Sequence, residues 1–558
     1  MFARYFSMLF ISLLLIACGG GDSKDVSTSP VPTPVPAPEH PPLPTKNESA
    51  RFLNMASFGA NVSSVDKISA LGFEEWLDQQ IALPASSHVA YLQALELTLN
   101  LDPDDELERE HRLEAWYTHA LTAPDQLRQR VAFALSEIFV VSDQSAFNDD
   151  TYGITNYYDL LINNAFSNYR DLLEQVTLSP IMGMYLSMLG NEKPNKEDNI
   201  RPDENYAREI MQLFSIGLVE LNNDGSNKLQ NGQSIPTYDQ DIIKAFAHIY
   251  TGWNFNGTTE NTWWRFYRNY NTMEPMSAVE AFHDSSEKQL LNNVIVPANQ
   301  TAQQDLTIAL DNIFNHPNVG PFIGKQLIKK LVTSNPSTEY VARISAVFND
   351  NGQGVRGDLG AVIKAILLDQ EVIDGTKGNE SFGKIREPLL RAMHLWRAFD
   401  ASSPNDRFQF NWAYYAFAQA PMSAHHVFNF FSPDYAPPGI VSNNNLIAPE
   451  LGIVTENFLT RTNNFMAYST IWGHTEFENE NTKDERILIN MTSLSAMVGD
   501  TNELLAHLDM LLLGGTMNDE MRAILTEAFD NTHEQEVNDR LSNLLFLIMV
   551  SPQYTVQK

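Results

Sequence analysis

Cysteine is all but absent from these 558 residues, Cys18 being the single example. An intramolecular disulfide is therefore excluded whatever the redox compartment, and packing has to hold the fold. Positive charge is also scarce. Against 69 Asp and Glu stand 37 Lys and Arg, a net charge of −32. Nucleic-acid binding needs cations that neutralise phosphates and release counterions, so no nucleic-acid partner is expected. The same charge is compatible with high salt, divalent cations or a cationic partner, and it chooses among none of them. Common metal spacings are missing: there is no H-E-x-x-H, no cysteine pair and no calcium loop with its closing Glu, and His425 and His426 are adjacent. No metal site is expected on that basis. "NNDGSN" at 222–227 is better read as a hairpin turn than as a calcium loop. The absence of a G-x-S-x-G elbow or a phosphate-cradling glycine loop removes the usual marks of a hydrolase or nucleotide enzyme. The sequence names no cofactor.

What the chain has begins at its start. "MFARYFSMLFISLLLIACGGGDSK" opens with basic Arg4, runs apolar from Met8 to Ile16 and reaches Leu15-Ile16-Ala17-Cys18. The run is too short to span a bilayer, and its order is that of a secretory signal. An ordinary signal with an incidental Cys is the plainer alternative. The lone Cys, however, falls after a small residue at the cleavage point, as in a bacterial lipobox, where the thiol and the freed amine would take acyl chains. We expect residues 1–17 to be a lipoprotein signal peptide and Cys18 the lipidated residue. The Pro- and Ser-rich stretch 18–46 would then be a semi-extended tether, with a single large body over 47–556. Gly19 resembles the default that sorts to the outer membrane. The membrane would be a partner through this anchor only.

Beyond the tether, helical periodicity dominates. In "LRQRVAFALSEIFVV", Leu127, Val131, Leu135 and Ile138 form a stripe, with Arg128, Arg130 and Glu137 off it. "PFIGKQLIKKLV" puts Ile323, Leu327 and Leu331 on one face and Lys325, Lys329 and Lys330 mostly on others. Strand signals are few. The best surrounds Asp224-Gly225 and Asn231-Gly232, turn dipeptides between short runs able to pair. The expected fold is mainly α, a large multi-helix globular body with a small β-hairpin excursion near 218–238. "LLEQVTLSP" (172–180), "VIKAILLDQ" (362–370) and "LLFLIMVSP" (544–552) echo one another as apolar helical runs ending at Ser or Asp.

"RPDENYAREIMQLFSIGL" (201–218) puts its charges in its first half. Asp203 suits an N-cap, Glu204 and Arg208 are spaced for a side-chain pair, and Tyr206, Ile210, Leu213 and Phe214 form a buried stripe before Gly217. The stretch is explained without chemistry, yet it also resembles the signature of a bacterial family, domain of unknown function 1800 (DUF1800). "ARFLNMASFG" (50–59), "RQRVAFALSEIFVVS" (128–142) and "MGMYLSMLGN" (182–191) are similar to its early blocks. The segment 316–348, "GKIREPLLR" (383–391) and "VFNFFSPDYAPPG" (427–439) are similar to later ones. One departure is Ser179 in "VTLSP", where the family often has His. The resemblance implies a secreted or surface protein, often encoded beside a phosphatase- or sulfatase-like family, and it implies no activity.

Candidate chemistry is sparse. In "FHDSSEKQLL", Asp284 beside His283 could orient its ring for acid–base work, with Lys288 holding an anion. A capping Asp and a His satisfied by backbone is the blander reading. Arg208-Glu209 and Arg386-Glu387 could line a cleft, though buried ion pairs that fix helix register are the favoured reading for most such pairs. Trp253, Trp263 and Trp264 lie in "GWNFNGTTENTWWRFYRNY" and could stack on sugar faces, or fill a core as the rings of 407–417 are expected to. Binding residues would be Glu204, Arg208 and these tryptophans. The leading expectation is a binding or assembly lipoprotein for an exported polymer or a partner protein. The alternative is an extracytoplasmic enzyme acting on polysaccharide through the His283 region.

Overall fold

The apolar stripes at three- and four-residue spacing form helices almost throughout the body. The structure is a computed structural model that describes residues 42–102, 105–145, 147, 149–268, 270–375, 379, 381–471 and 483–558. The leader, Cys18 and most of the tether lie outside the described residues. The fold is mainly α, with β structure confined to small two-stranded antiparallel pairs. Among the described residues no helix is long and apolar enough to cross a membrane. Leu43–Lys558 forms one compact unit.

Helix starts follow the side-chain chemistry expected at unpaired N–H groups. Thr45 and Glu48, and Thr301 and Gln304, close reciprocal capping boxes on Lys46–Ala56 and Ala302–Phe314. The echoed helix endings have one local cause. Ser179, Asp369 and Ser551 each stand before a short second helix, Pro180–Tyr185, Gln370–Asp374 and Pro552–Thr555. Two of them cap it directly, Asp369 on the Glu371 N–H and Ser551 on the Tyr554 N–H.

Two central helices, Gln126–Ser136 and Pro388–Ala398, are buried along almost their whole circumference. Their polar residues therefore face other helices rather than water. Arg397 donates to the Gly59, Ala120 and Leu121 carbonyls at 3.0, 3.2 and 2.8 Å. Arg130 reaches the Lys330 carbonyl at 2.7 Å, and Arg391 reaches that of Met549 at 2.8 Å. The expected Arg386–Glu387 partnership is not made. Arg386 hydrogen-bonds His394 at 2.8 Å and lies over the Tyr554 ring, while Glu387 faces Lys384 at 3.3 Å. The rings of 407–417 divide: Phe410 and Phe417 join Tyr117, Trp396 and Phe465 in the core, and Trp412 and Tyr415 are exposed.

The hairpin forms where the turn dipeptides place it. Leu229–Gln230 pairs with Gln233–Ser234 around Asn231-Gly232, whose φ values of 53° and 80° suit the left-handed two-residue turn. Bridges at Val219–Pro236 and Leu221–Asn227 extend it. Three further pairs carry no comparable sequence signal: Trp253–Asn254 with Ser277–Ala278, Lys288–Gln289 with Ile295–Val296, and Lys384–Ile385 with Val556–Gln557. In the last, the Gln557 amide also donates to the carbonyl of Leu331 at 2.8 Å.

Candidate functional site

The charged stretch at 201–218 is first a structural element. Its helix spans Asn205–Gln212, and Asp203 accepts from the Asn205 N–H at 2.8 Å. Glu204 and Arg208 pair at 3.3 Å with side chains 33% and 40% exposed, a surface pair of small energetic weight. Glu204 also accepts from Gln240 at 2.6 Å, tying the helix to Gln240–Ile249. Tyr206, Ile210 and Phe214 are buried, the Tyr206 hydroxyl donating to Thr177 at 2.7 Å. Leu213 is half-buried and faces a cavity.

His283, Asp284 and Lys288 gather in one knot, but not in the expected pairing. The His283 ring is buried, with Nδ1 3.0 Å from the Thr251 carbonyl and Nε2 3.1 Å from Asp305 Oδ2. Both nitrogens are occupied inside the fold. Asp284 turns the other way and holds Nδ1 of His248. Burial would raise the Asp284 carboxyl, but hydrogen bonds from His248 and Ser286 outweigh it and hold the group well below the usual carboxylate range. Lys288 donates to Asp305 on the helix Ala302–Phe314 at 2.7 Å, to the Ser286 carbonyl at 2.8 Å and to the Asp284 carbonyl, which uses its three donors inside the fold. His248, Thr251 and Asp305 are the members of this cluster that the sequence reading misses.

The tryptophans separate as well. Trp253 and Trp263 are buried, Trp263 stacked on Phe282 with ring centroids 4.2 Å apart. Trp264 is 62% exposed and meets Trp263 edge-on. Ser179 is buried in the turn between Tyr169–Leu178 and Pro180–Tyr185.

Of these residues only Leu213 lines the cavity in which polar and apolar groups converge. That cavity, about 370 Å³, falls in the usual range for a small-molecule pocket. Its walls come from four separate segments: Glu137 after Gln126–Ser136; Leu213 to Val219 after Asn205–Gln212; the face of Val319–Leu331 bearing Phe322, Lys325, Lys329 and Lys330; and the loop with Phe428, Phe431 and Asp434. Each lies within a stretch that carries the family resemblance. Gly217 (φ 72°) lets the chain turn beneath Phe322, whose ring a Cβ there would meet at 2.8 Å. Lys329 donates to the Pro433 carbonyl at 2.6 Å and to Asp434 at 3.1 Å. Lys330 lies over the Phe431 ring at 4.8 Å and 3.6 Å from Glu137. Burial, and then the nearby Glu387 charge, push the Glu137 carboxyl up to about 8. A perturbed acid in a cleft is a functional-site candidate on physical grounds.

A shallower groove of about 1160 Å³ runs past Asp105–Glu110 and Asp143. Asp143 is already held by Arg109 and Arg112 at 2.7 and 2.6 Å, and the groove brings together no comparable set. Among the described residues no group of three or more His, Cys, Asp or Glu is arranged to hold a metal ion.

A family described as "Protein of unknown function (DUF1800)" matches residues 51–556. No curated protein and no solved structure matches the chain.

Proposed function

The chain belongs to the DUF1800 family, and from that premise we propose that it is an exported, lipid-anchored binding or assembly factor whose ligand enters the Glu137–Lys330 pocket. The lipobox-like Cys18 supports export and anchoring, with the outer membrane as the site. The observation that carries the binding reading is the pocket itself, where an apolar wall of Phe322, Phe428 and Phe431 meets Lys329, Lys330 and Glu137. Ring faces and directed polar groups together suit a segment of exported polysaccharide.

The test is a binding screen of the purified protein against bacterial polysaccharides and against a phosphatase- or sulfatase-like partner. Phe428→Ala alters a ring that is 43% exposed, and Lys330→Met keeps the carbonyl that Arg130 and Lys384 use. Each should weaken a confirmed ligand about tenfold or more while leaving the melting temperature nearly unchanged. Wild-type affinity in both variants would remove the pocket from the reading.

A second reading, an enzyme acting on polysaccharide at the His283 region, draws support from Asp284 and His248. His283 is enclosed, whereas the His248 side chain is 30% exposed and oriented by a carboxylate, the arrangement of a general base. His248→Ala should then lower turnover of a confirmed polysaccharide substrate roughly 10²–10⁴-fold with affinity kept. Unchanged turnover would eliminate this reading.

A further inference from the structure

Glu137 enters the pocket with one oxygen engaged and the other not. Oε1 accepts from the Asn429 amide at 2.9 Å and faces Lys330 Nζ at 3.6 Å. Oε2 is buried without a hydrogen-bond partner among the described residues, on a side chain only 1% exposed. The Lys330 ammonium is also incomplete, with a ring and a distant carboxylate but no hydrogen bond among the described residues. Oε2 is itself shielded from solvent, so a ligand group that satisfies both enters as the Glu137 carboxyl turns toward the cavity.

The charges around Glu137 decide what that group can be. Arg130 comes from its own helix, Lys330 from Val319–Leu331, and Lys384 and Glu387 from the segment entering Pro388–Ala398. The Tyr158 phenol faces it from Thr151–Asn163, and Glu450 joins through Lys384 at 3.2 Å. Lys325, Lys329 and Asp434 stand further along the pocket wall. With Glu137 ionised, the buried cations Arg130, Lys330 and Lys384 are matched by the carboxylates Glu137, Glu387 and Glu450. An entering anion would then be an unmatched charge at low dielectric. With Glu137 neutral the cations exceed by one, and an anion restores the balance. Because Oε1 already accepts, the proton of a neutral Glu137 belongs on Oε2, the oxygen left for a ligand.

We propose that the pocket takes an acidic sugar unit of a polysaccharide through its carboxylate, which accepts hydrogen bonds from protonated Glu137 and from Lys330, so that binding is coupled to protonation of Glu137. This rests on the pocket reading above. The proton comes from solvent and no covalent bond changes. Two carboxyl groups sharing one proton are a stable arrangement where both cannot ionise. Burial pushes the Glu137 carboxyl up to about 8 before any ligand enters, which favours the protonated form the ligand needs.

Titration calorimetry of the full-length protein with trigalacturonate and with its neutral methyl ester, at pH 6 and pH 9 in buffers of different ionisation heat, tests this. Trigalacturonate should bind about tenfold more weakly at pH 9 than at pH 6. It should take up close to one proton at pH 9 and almost none at pH 6, and the ester should bind much more weakly. Glu137→Gln, which still offers an N–H, should bind alike at both pH values without proton uptake. The wild-type proton count stands alone should that variant fail to fold. Binding without proton uptake at pH 9, or equal binding of the ester, overturns the proposal and leaves the pocket reading standing. If neither oligomer binds at either pH, the proposal and its polysaccharide premise both fall.

Discussion

Glu137 couples protonation to folding as well as to the pocket. Its carboxyl holds a proton up to about pH 8 in the folded chain, whereas in the unfolded chain it releases that proton in the ordinary carboxylate range. Through that window the folded state binds more protons, so raising the pH lowers stability, by up to about 1.4 kcal/mol per pH unit from this group. Denaturant unfolding of wild type and Glu137→Gln should show the variant gaining relative stability from pH 5 to pH 8. A difference that stays constant would mean that Glu137 is ionised in the folded protein throughout. In the sequence, Glu137 is legible only as a polar residue off an apolar stripe. The stripe says nothing of Asn429, Lys330 and Glu387, which give the residue its chemistry and come from distant segments. The same limit governs His283. It meets Asp305, 22 residues on, while Asp284 meets His248, 36 residues back. Adjacent side chains diverge where the backbone is extended, as it is at His283 (φ −83°, ψ 141°).

Helices legible from their stripes gain long-range support that the stripes do not reveal. The last carbonyls of a helix lack partners within it and carry partial negative charge. Arg397 supplies a guanidinium to those at the end of Arg109–Thr122, Arg391 to that of Val537–Met549, and Arg130 to that near the end of Val319–Leu331. Arg397→Ala would leave the Ala120 and Leu121 carbonyls without this donor, while Ser57 still donates to that of Gly59. It should cost about 3 kcal/mol or more in denaturant unfolding, and Arg397→Lys should not restore it, because a point ammonium lacks the fork that spans two chain segments. A loss below about 1 kcal/mol would mean that water replaces the guanidinium there. Such caps escape a sequence reading because the donor and the helix it closes lie up to 277 residues apart. Strands are the converse case. The 229–234 hairpin is visible from Asn231-Gly232, whereas two-residue strands such as Val556–Gln557 are held by their surroundings and have no pattern of their own.

At the scale of the molecule, the proposed anchor and the body make separable demands. Cys18→Ser should move the protein from the membrane to the soluble fraction, and retention at both low and high salt would refute lipid anchoring. The net charge of −32 makes the lysine-bearing face of Val319–Leu331 a local exception, where electrostatic attraction would favour an acidic ligand over the rest of the surface. The pairing of Lys384–Ile385 with Val556–Gln557 has a consequence in time. Gln557 holds the end of the very helix that carries Lys329 and Lys330 from 226 positions away. During synthesis the Leu331 carbonyl at that end lacks this donor until residue 557 emerges, so loop closure over a long distance must precede a finished body. A chain cut before residue 556 would leave that closure unmade. Residues 556 and 557 thus finish a helix end laid down 226 positions earlier, and the body is whole only once that contact closes.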